Sequence, residues 1–154
     1  MSVTIRRALE KDLNRVIELS DQVREYHCEL VPNLFAPMDK EKTLERFASF
    51  LTDEKHYLIV AEQDAQITGY LYAEFIDTPW YQKRYGCMLN EIAVDETCQS
   101  EGIGTILFNA LREECAKRGT EDIRLTVYLA NQRAIDLYHK LGFREISYKM
   151  TLDL

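Results

Sequence analysis

Seven residues, Gln99-Ser100-Glu101-Gly102-Ile103-Gly104-Thr105, have the make-up of an anion site. They follow a strand-like run over 88–94 and open a helix whose apolar stripe is Ile103, Leu107, Leu111 and Cys115. Glycines here let a ligand approach the backbone closely, and a helix start offers unpaired N–H groups at the positive end of its dipole. That chemistry suits a phosphate; the plainer reading is a tight turn with a glycine-rich helix entry. Two phosphate-binding patterns do not fit. A P-loop needs Lys-Ser or Lys-Thr after the second glycine of G-x-x-x-x-G, and no such stretch exists. A dinucleotide fingerprint needs three glycines in the first strand–helix unit, whereas this site stands behind an antiparallel hairpin.

A second pattern lies downstream. Asn131 can cap a short helix that presents Ala134, Leu137, Tyr138 and Leu141 and stops at Gly142-Phe143. Together, Gln99-x-x-Gly102-x-Gly104 and Asn131-x-x-Ala134-x-x-x-Tyr138-x-x-x-Gly142-Phe143 resemble the GNAT superfamily of N-acetyltransferases. The resemblance implies acetyl-CoA as co-substrate. Backbone groups of Ile92, Ala93 and Val94 would pair with its pantetheine arm. The amides of Ser100, Glu101, Gly102, Ile103, Gly104 and Thr105, with Gln99 at the turn, would hold its pyrophosphate. Asn131 would bind near the pantetheine or the thioester, and Tyr138 would protonate the departing thiolate. A phenol of pKa ~10 beside a developing thiolate of pKa ~8.5 is suited to that role.

Two positions depart from the family pattern. Glu101 stands where many members carry a basic residue, so it is expected to point outward and leave the cradling to backbone amides. Thr126 stands five residues before Asn131, where enzymes that acetylate ribosomal-protein N-termini carry a glutamate. That argues against this subfamily.

A base must also take the proton of an amine that is mostly protonated at pH 7. Glu91, on the strand beside the expected thioester, can do so directly or through water; it reads equally as a solvated carboxylate. Asp77 and Glu74 could instead attract a cationic substrate, or read as a solvated strand end; His27 and His56 are weaker candidates, and His139 reads as a surface residue beside Tyr138. Trp80 and Tyr81, with Tyr85, read either as a cation–π wall for an amine or as a satellite packing cluster. Tyr26, His27, Leu34 and Phe35 are the candidate facing wall.

These groups need a scaffold, and the 154 residues are enough for one domain, taken as 1–154. The chain reads as a short strand at 3–7, a helix carrying Leu13, Val16, Ile17 and Val23, and a Pro-bounded loop at 31–37. A second helix follows, capped by Asp39 and burying Leu44, Phe47, Ala48 and Leu51. Residues 57–61 and 67–73 form a hairpin around Asp64, and a loop spans 78–87. Strands at 88–94 and 123–127 frame the Gly-rich helix. The alternation of Ile146, Tyr148, Met150 and Leu152 predicts a final half-buried strand. The fold class expected is α/β (α+β), a GNAT-like mixed, mostly antiparallel sheet flanked by helices and splayed between 88–94 and 123–127.

Charge and cysteines narrow the partners. Nineteen Lys+Arg against twenty-six Asp+Glu give a net charge of −7, with no basic stripe for a nucleic acid. No apolar run is long enough to span a bilayer, and charge arrives at Arg6-Arg7 too early for a signal segment, so a cytoplasmic location is expected. The four cysteines read as free thiols, and no metal site is expected. The function expected is direct acetyl transfer to a primary amine, with a small-molecule amine favoured. The alternatives are a non-catalytic acyl-CoA-binding sensor and a protein N-terminal acetyltransferase. Homodimerisation stays open.

Overall fold

The computed structural model describes residues 2–99 and 101–154. A period of two in the strands and a 3.6-residue period in the helices build three layers. The elements run β1 (Thr4–Arg7), α1 (Leu13–Leu30), α2 (Lys40–Phe50), β2 (His56–Gln63), β3 (Gln66–Asp77), β4 (Tyr85–Val94), α3 (Ile103–Arg118), β5 (Asp122–Leu125) and α4 (Gln132–Lys140). The sheet order is β1-β2-β3-β4-β5, antiparallel throughout except for the parallel pair β4–β5. The expected mixed, mostly antiparallel sheet is therefore present.

Helices cover both faces. Leu13, Val16, Ile17 and Leu19 of α1 and Phe47 of α2 pack on Leu58, Val60, Tyr70 and Tyr72. On the other face, Ile103, Leu107, Leu111 and Cys115 of α3 pack on Ile59, Leu71, Ala73 and Leu89. Local chemistry sets the boundaries. The Asp39 side chain accepts from the Lys42 N–H at 3.1 Å and starts α2. Gly119 ends α3 in the left-handed conformation, φ 68°. Asp64 and Ala65 are both left-handed, as the two-residue turn joining β2 and β3 requires.

Three boundaries differ from expectation. The loop before β4 is shorter than 78–87, because β3 runs to Asp77 and β4 starts at Tyr85. β5 stops at Leu125 rather than at 127. The largest difference is the tail: no strand forms after α4, and Ile146, Tyr148, Met150 and Leu152 stand 66–90% exposed. Among the described residues, no backbone hydrogen bond joins 144–154 to the rest of the chain. Alternation reports which face of a strand is apolar, but a strand also needs a neighbour for its N–H and C=O groups. Among the described residues the tail pairs with no strand, although the outer edge of β5 carries no partner either.

Candidate functional site

The cleft begins with one extra residue. Tyr72 of β3 pairs with Glu91 of β4, yet the next residue, Ala73, pairs with Leu89, so Asn90 is a bulge. Before it, Cys87 and Leu89 face α3; after it, Ile92 and Val94 take that face and Glu91 turns toward α1. The parallel pairing of β4 with β5 ends at the same place, at Leu89 opposite Leu125. Beyond it, residues 90–94 pair only with β3. The two strands therefore part where the sequence places Ile92, Ala93 and Val94, leaving a strand edge with free backbone groups.

α3 starts at the mouth of this opening. Gly102 caps it in the left-handed region, φ 75°, and the first helical hydrogen bond runs from the Ile106 N–H to the Gly102 carbonyl at 3.1 Å. The N–H groups of Ile103, Gly104 and Thr105 thus lie in the first turn without intrahelical acceptors. A side chain built on Gly104 would meet only Val94, at 3.8 Å, so this turn faces the end of β4 across open space. No acidic residue stands in that first turn, and Glu101 is exposed, as its outward orientation requires. One expectation needs correction. The Glu101 N–H donates to the Cys98 carbonyl at 3.2 Å, so it is spent inside the turn and not offered to a ligand. Ser100 lies outside the described residues. Gln99 is exposed and accepts from the Arg133 guanidinium at 3.4 Å, which brings a cation to the turn.

α4 lies beyond the open end of β5. Asn131 is buried and its side-chain oxygen accepts from the Ala134 N–H at 3.2 Å, the cap that starts the helix. Its amide NH2 is the part left for a ligand. Tyr138 is half-buried, with its ring set edge-on to Phe143, 5.6 Å between centroids, and Phe143 in turn meets Phe108 of α3 at 5.8 Å. Burial holds the Tyr138 phenol above its ordinary value of 10, so it keeps its proton at neutral pH. Among the described residues its hydroxyl has no hydrogen-bond partner.

Glu91 occupies the α1 side of the same opening. Tyr70, fully buried, donates its hydroxyl to the Glu91 carboxylate, and the buried Ser20 of α1 stands beside both. Burial pushes the carboxyl above its ordinary 4.5; the two hydroxyls and the more distant Arg46 and Arg24 only partly offset this. The Tyr70 phenol is pushed well up by its own burial and by the Glu91 charge, which keeps it a neutral donor. The carboxyl is thus held by hydroxyls rather than neutralised by a cation in contact.

The C-terminal end of α1 carries an aromatic wall. His27 stacks on Phe35 at 5.7 Å, and both meet Tyr128 edge-on, at 5.3 and 5.2 Å. Tyr26 lies 6.2 Å from His27, and Arg24 spans the Phe35 ring at 5.4 Å. Burial lowers His27, so its imidazole is neutral at pH 7. Tyr26, His27 and Phe35 are thus assembled as expected, with Tyr128 added.

Trp80 and Tyr81 are not brought to this group. They sit in the loop before Tyr85, and six residues of strand, ~20 Å at ~3.3 Å each, separate Tyr85 from Glu91. Arg124 fastens that loop to β5, its guanidinium over the Tyr81 ring at 4.5 Å and donating to the Lys83 carbonyl at 2.8 Å. Other candidates are engaged elsewhere. Asp77 pairs with Arg84 at 2.6 Å and Glu74 with Lys55 at 2.6 Å. His56 stacks on Phe50 and shares a 2.8 Å hydrogen bond with Tyr72, while His139 contacts Glu145.

Sequence reasoning missed Ser20, Tyr70, Tyr128 and Arg133. Tyr70 and Ser20 read as ordinary members of a strand and a helix face, and only the bulge at Asn90 turns Glu91 toward them. Arg133 carried a readable signal: a cation in the first turn of the helix that Asn131 caps.

Residues 9–143 match the model of the acetyltransferase (GNAT) family. The chain is 26% identical over 154 residues to thialysine N-epsilon-acetyltransferase of Sus scrofa, covering 95% of this chain and 86% of that one. It is 41% identical over 61 residues to the ribosomal protein bS18-alanine N-acetyltransferase of Escherichia coli, covering 40% and 41%. The solved structure of a tetramutant of the BH1408 protein from Bacillus halodurans superposes with a TM-score of 0.90 at 30% identity, over 98% of this chain and 99% of that one. The chain spans between 28% and 86% of the lengths of the curated relatives it matches.

Proposed function

The chain belongs to the GNAT family of acetyltransferases, and from that premise we propose that it transfers an acetyl group from acetyl-CoA to the primary amine of a small molecule. The observation that supports this best is a single continuous path. It runs from the unpaired N–H groups of Ile103, Gly104 and Thr105, along the free edge of β4 at 92–94, to the Glu91 carboxylate. The donors fit the co-substrate: an anion at the helix start, an amide-bearing arm along a strand edge, and a thioester beside the bulge. When bound, acetyl-CoA supplies the activated acetyl group.

The chain's own residues do the rest. The first turn of α3 holds negative charge, and the edge of β4 fixes an extended amide-bearing arm, so that reacting atoms are held together. Such alignment is worth up to ~7–11 kcal/mol. Glu91, with its carboxyl raised by burial, accepts the proton of an ammonium while the hydroxyls of Tyr70 and Ser20 hold the carboxylate in place. Tyr138, kept neutral by burial, retains a proton to give to a departing thiolate. The wall of Tyr26, His27, Phe35 and Tyr128 bounds the acceptor from the α1 side.

A small molecule is favoured over a protein N-terminus by Thr126, which stands where a catalytic glutamate is expected for the ribosomal-protein enzymes. The test is release of free thiol from acetyl-CoA over a panel of polyamines, amino acids, aminoglycosides and short peptides. Turnover with at least one small amine is expected. Binding of acetyl-CoA without turnover on any member would indicate a sensor, and turnover on peptides alone would indicate an N-terminal acetyltransferase.

A further inference from the structure

Three residues of α1 stand in line along the opening beside β4. Ser20, Arg24 and His27 fall at i, i+4 and i+7, so they share one helix face. Ser20 stands beside the Glu91 carboxylate, and His27 belongs to the aromatic wall with Phe35 and Tyr128. Arg24 therefore lies between the two, ~6 Å along the helix axis from Ser20. Its guanidinium packs over the Phe35 ring at 5.4 Å and donates one N–H to the Ala36 carbonyl at 3.3 Å. Among the described residues its other donors meet no partner.

Arg6, Arg15, Arg84, Arg118 and Arg124 are each matched by a carboxylate. Arg24 is half-buried and, among the described residues, is not. Arg46 of α2 also lacks a carboxylate there. Its guanidinium lies over Phe47 at 5.4 Å, and Phe47 meets Tyr70, the partner of Glu91, edge-on at 6.1 Å. Both guanidiniums act on Glu91 through space without pairing with it. The opening thus holds one negative group and, a helical turn along, a positive one that does not neutralise it. An acceptor of matching charge is zwitterionic, with its ammonium at Glu91, its carboxylate at Arg24 and its hydrocarbon against the rings. A polyamine or an aminoglycoside would instead set a second cation beside Arg24 and Arg46.

We propose that the acceptor is an amino acid, a small molecule with a free carboxylate besides the reacting amine, and that Arg24 binds that carboxylate. This rests on the acetyl-transfer reading above and names the substrate class within it. The planar fork of Arg24 can give parallel N–H groups to both carboxylate oxygens while Phe35 and Ala36 hold it in place. Arg46 adds positive potential from α2.

The test compares alanine, phenylalanine and lysine with their amides and their decarboxylated amines, in thiol release from acetyl-CoA by the full chain. An amide keeps the amine, and its lower basicity leaves more of it neutral, so a rate deficit reports the lost carboxylate. At least one amino acid should exceed its amide by roughly 10–10²-fold in kcat/KM, the span of one charge-assisted contact, mainly through KM. Arg24→Gln should bring that ratio close to one, Arg24→Lys should restore part of it, and Arg46→Gln should lower it by less. Amides or decarboxylated amines that match every amino acid in the wild type would overturn the proposal, as would a preference that survives Arg24→Gln. Calorimetric titration of each amino acid and its amide into the CoA-saturated chain keeps the two readings apart. Tighter binding of an amino acid, lost in Arg24→Gln, with no thiol released from any amine would retain this site and sink acetyl transfer. Equal binding within every pair, with thiol released from both members, would do the reverse.

Discussion

Asp12, at the start of α1, and Glu91, beside Ser20 within its length, are both carboxylates turned in from solvent, and their surroundings differ in kind. Asp12 accepts two hydrogen bonds from Arg6, at 2.7 and 3.0 Å, and one from the Leu9 N–H at 2.8 Å. The Arg6 hydrogen bonds hold its carboxyl below the ordinary 3.8, and Arg6 also pairs with Glu62 at 2.6 Å. Glu91 has the hydroxyls of Tyr70 and Ser20 and no cation in contact, and burial raises it. A buried charge matched by a charged partner is fixture; one left short of compensation holds its proton to higher pH than a free carboxyl does. The hollow around Asp12, lined in part by Arg6, Arg15, Glu18 and Glu62, is therefore a network of paired charges, whereas the carboxyl of Glu91 has no cation in contact.

Exchanging each carboxylate for its amide breaks the two regions differently. Glu91→Gln should lower kcat/KM by roughly 10²–10⁴-fold, the span expected for loss of a general base, with acetyl-CoA affinity retained. Calorimetric affinity beside steady-state kinetics checks this, and an equal loss in both would mean that Glu91 shapes the cofactor site instead. Tyr138→Phe extends the contrast to a group kept neutral by burial. It should cut kcat by roughly 10–10³-fold and leave affinity nearly intact. A less stable but fully active variant would make Tyr138 a packing residue only.

Asp12→Asn should do the reverse. Arg6 would lose its main partner, destabilising the fold by about 3 kcal/mol while the activity of the folded fraction stays at the wild-type level. Chemical denaturation with an activity assay reads both quantities. The smallest effect is the most discriminating. Glu91's carboxyl is raised in the folded state, so its contribution is favourable below about 4.5 and is lost as pH rises through the folded value. Asp12's carboxyl is lowered, so its contribution is present above about 3.8 and is lost as pH falls through the folded value. At pH 7 the melting temperature of Glu91→Gln should therefore match or exceed the wild type, and that of Asp12→Asn should fall below it. Both differences should shrink toward zero in acid.

The contrast between Asp12 and Glu91 was not readable in the sequence, but much of the fold that frames it was, and the rest was hidden for definable reasons. Caps and turns are local, so Asp39, Asn131, Gly119 and the Asp64 turn announced the elements they bound. The Gly102-Ile103-Gly104 helix start and the parting of the two parallel strands followed from the same motifs. The bulge at Asn90 leaves no mark on the hydrophobic alternation, yet it alone decides that Glu91 faces Tyr70 and Ser20 rather than α3. Trp80 and Tyr81 were assembled by residue type, while strand length carries them to the far end of the sheet. The tail shows the opposite failure: its alternation predicts a strand, but no strand of the sheet pairs with it among the described residues.

The central claim is that Glu91 takes the amine's proton, and the pH dependence of kcat/KM for wild type and Glu91→Gln tests it most directly. For the wild type the rate should rise through a limb set by a carboxyl lying above the ordinary 4.5, then through the titration of the amine itself, and level off. Amines of different pKa should move the second limb and leave the first in place. In Glu91→Gln the first limb should vanish and only the amine's own titration should remain, at a much lower plateau. A variant whose profile and plateau superimpose on the wild type would remove Glu91 from the reaction.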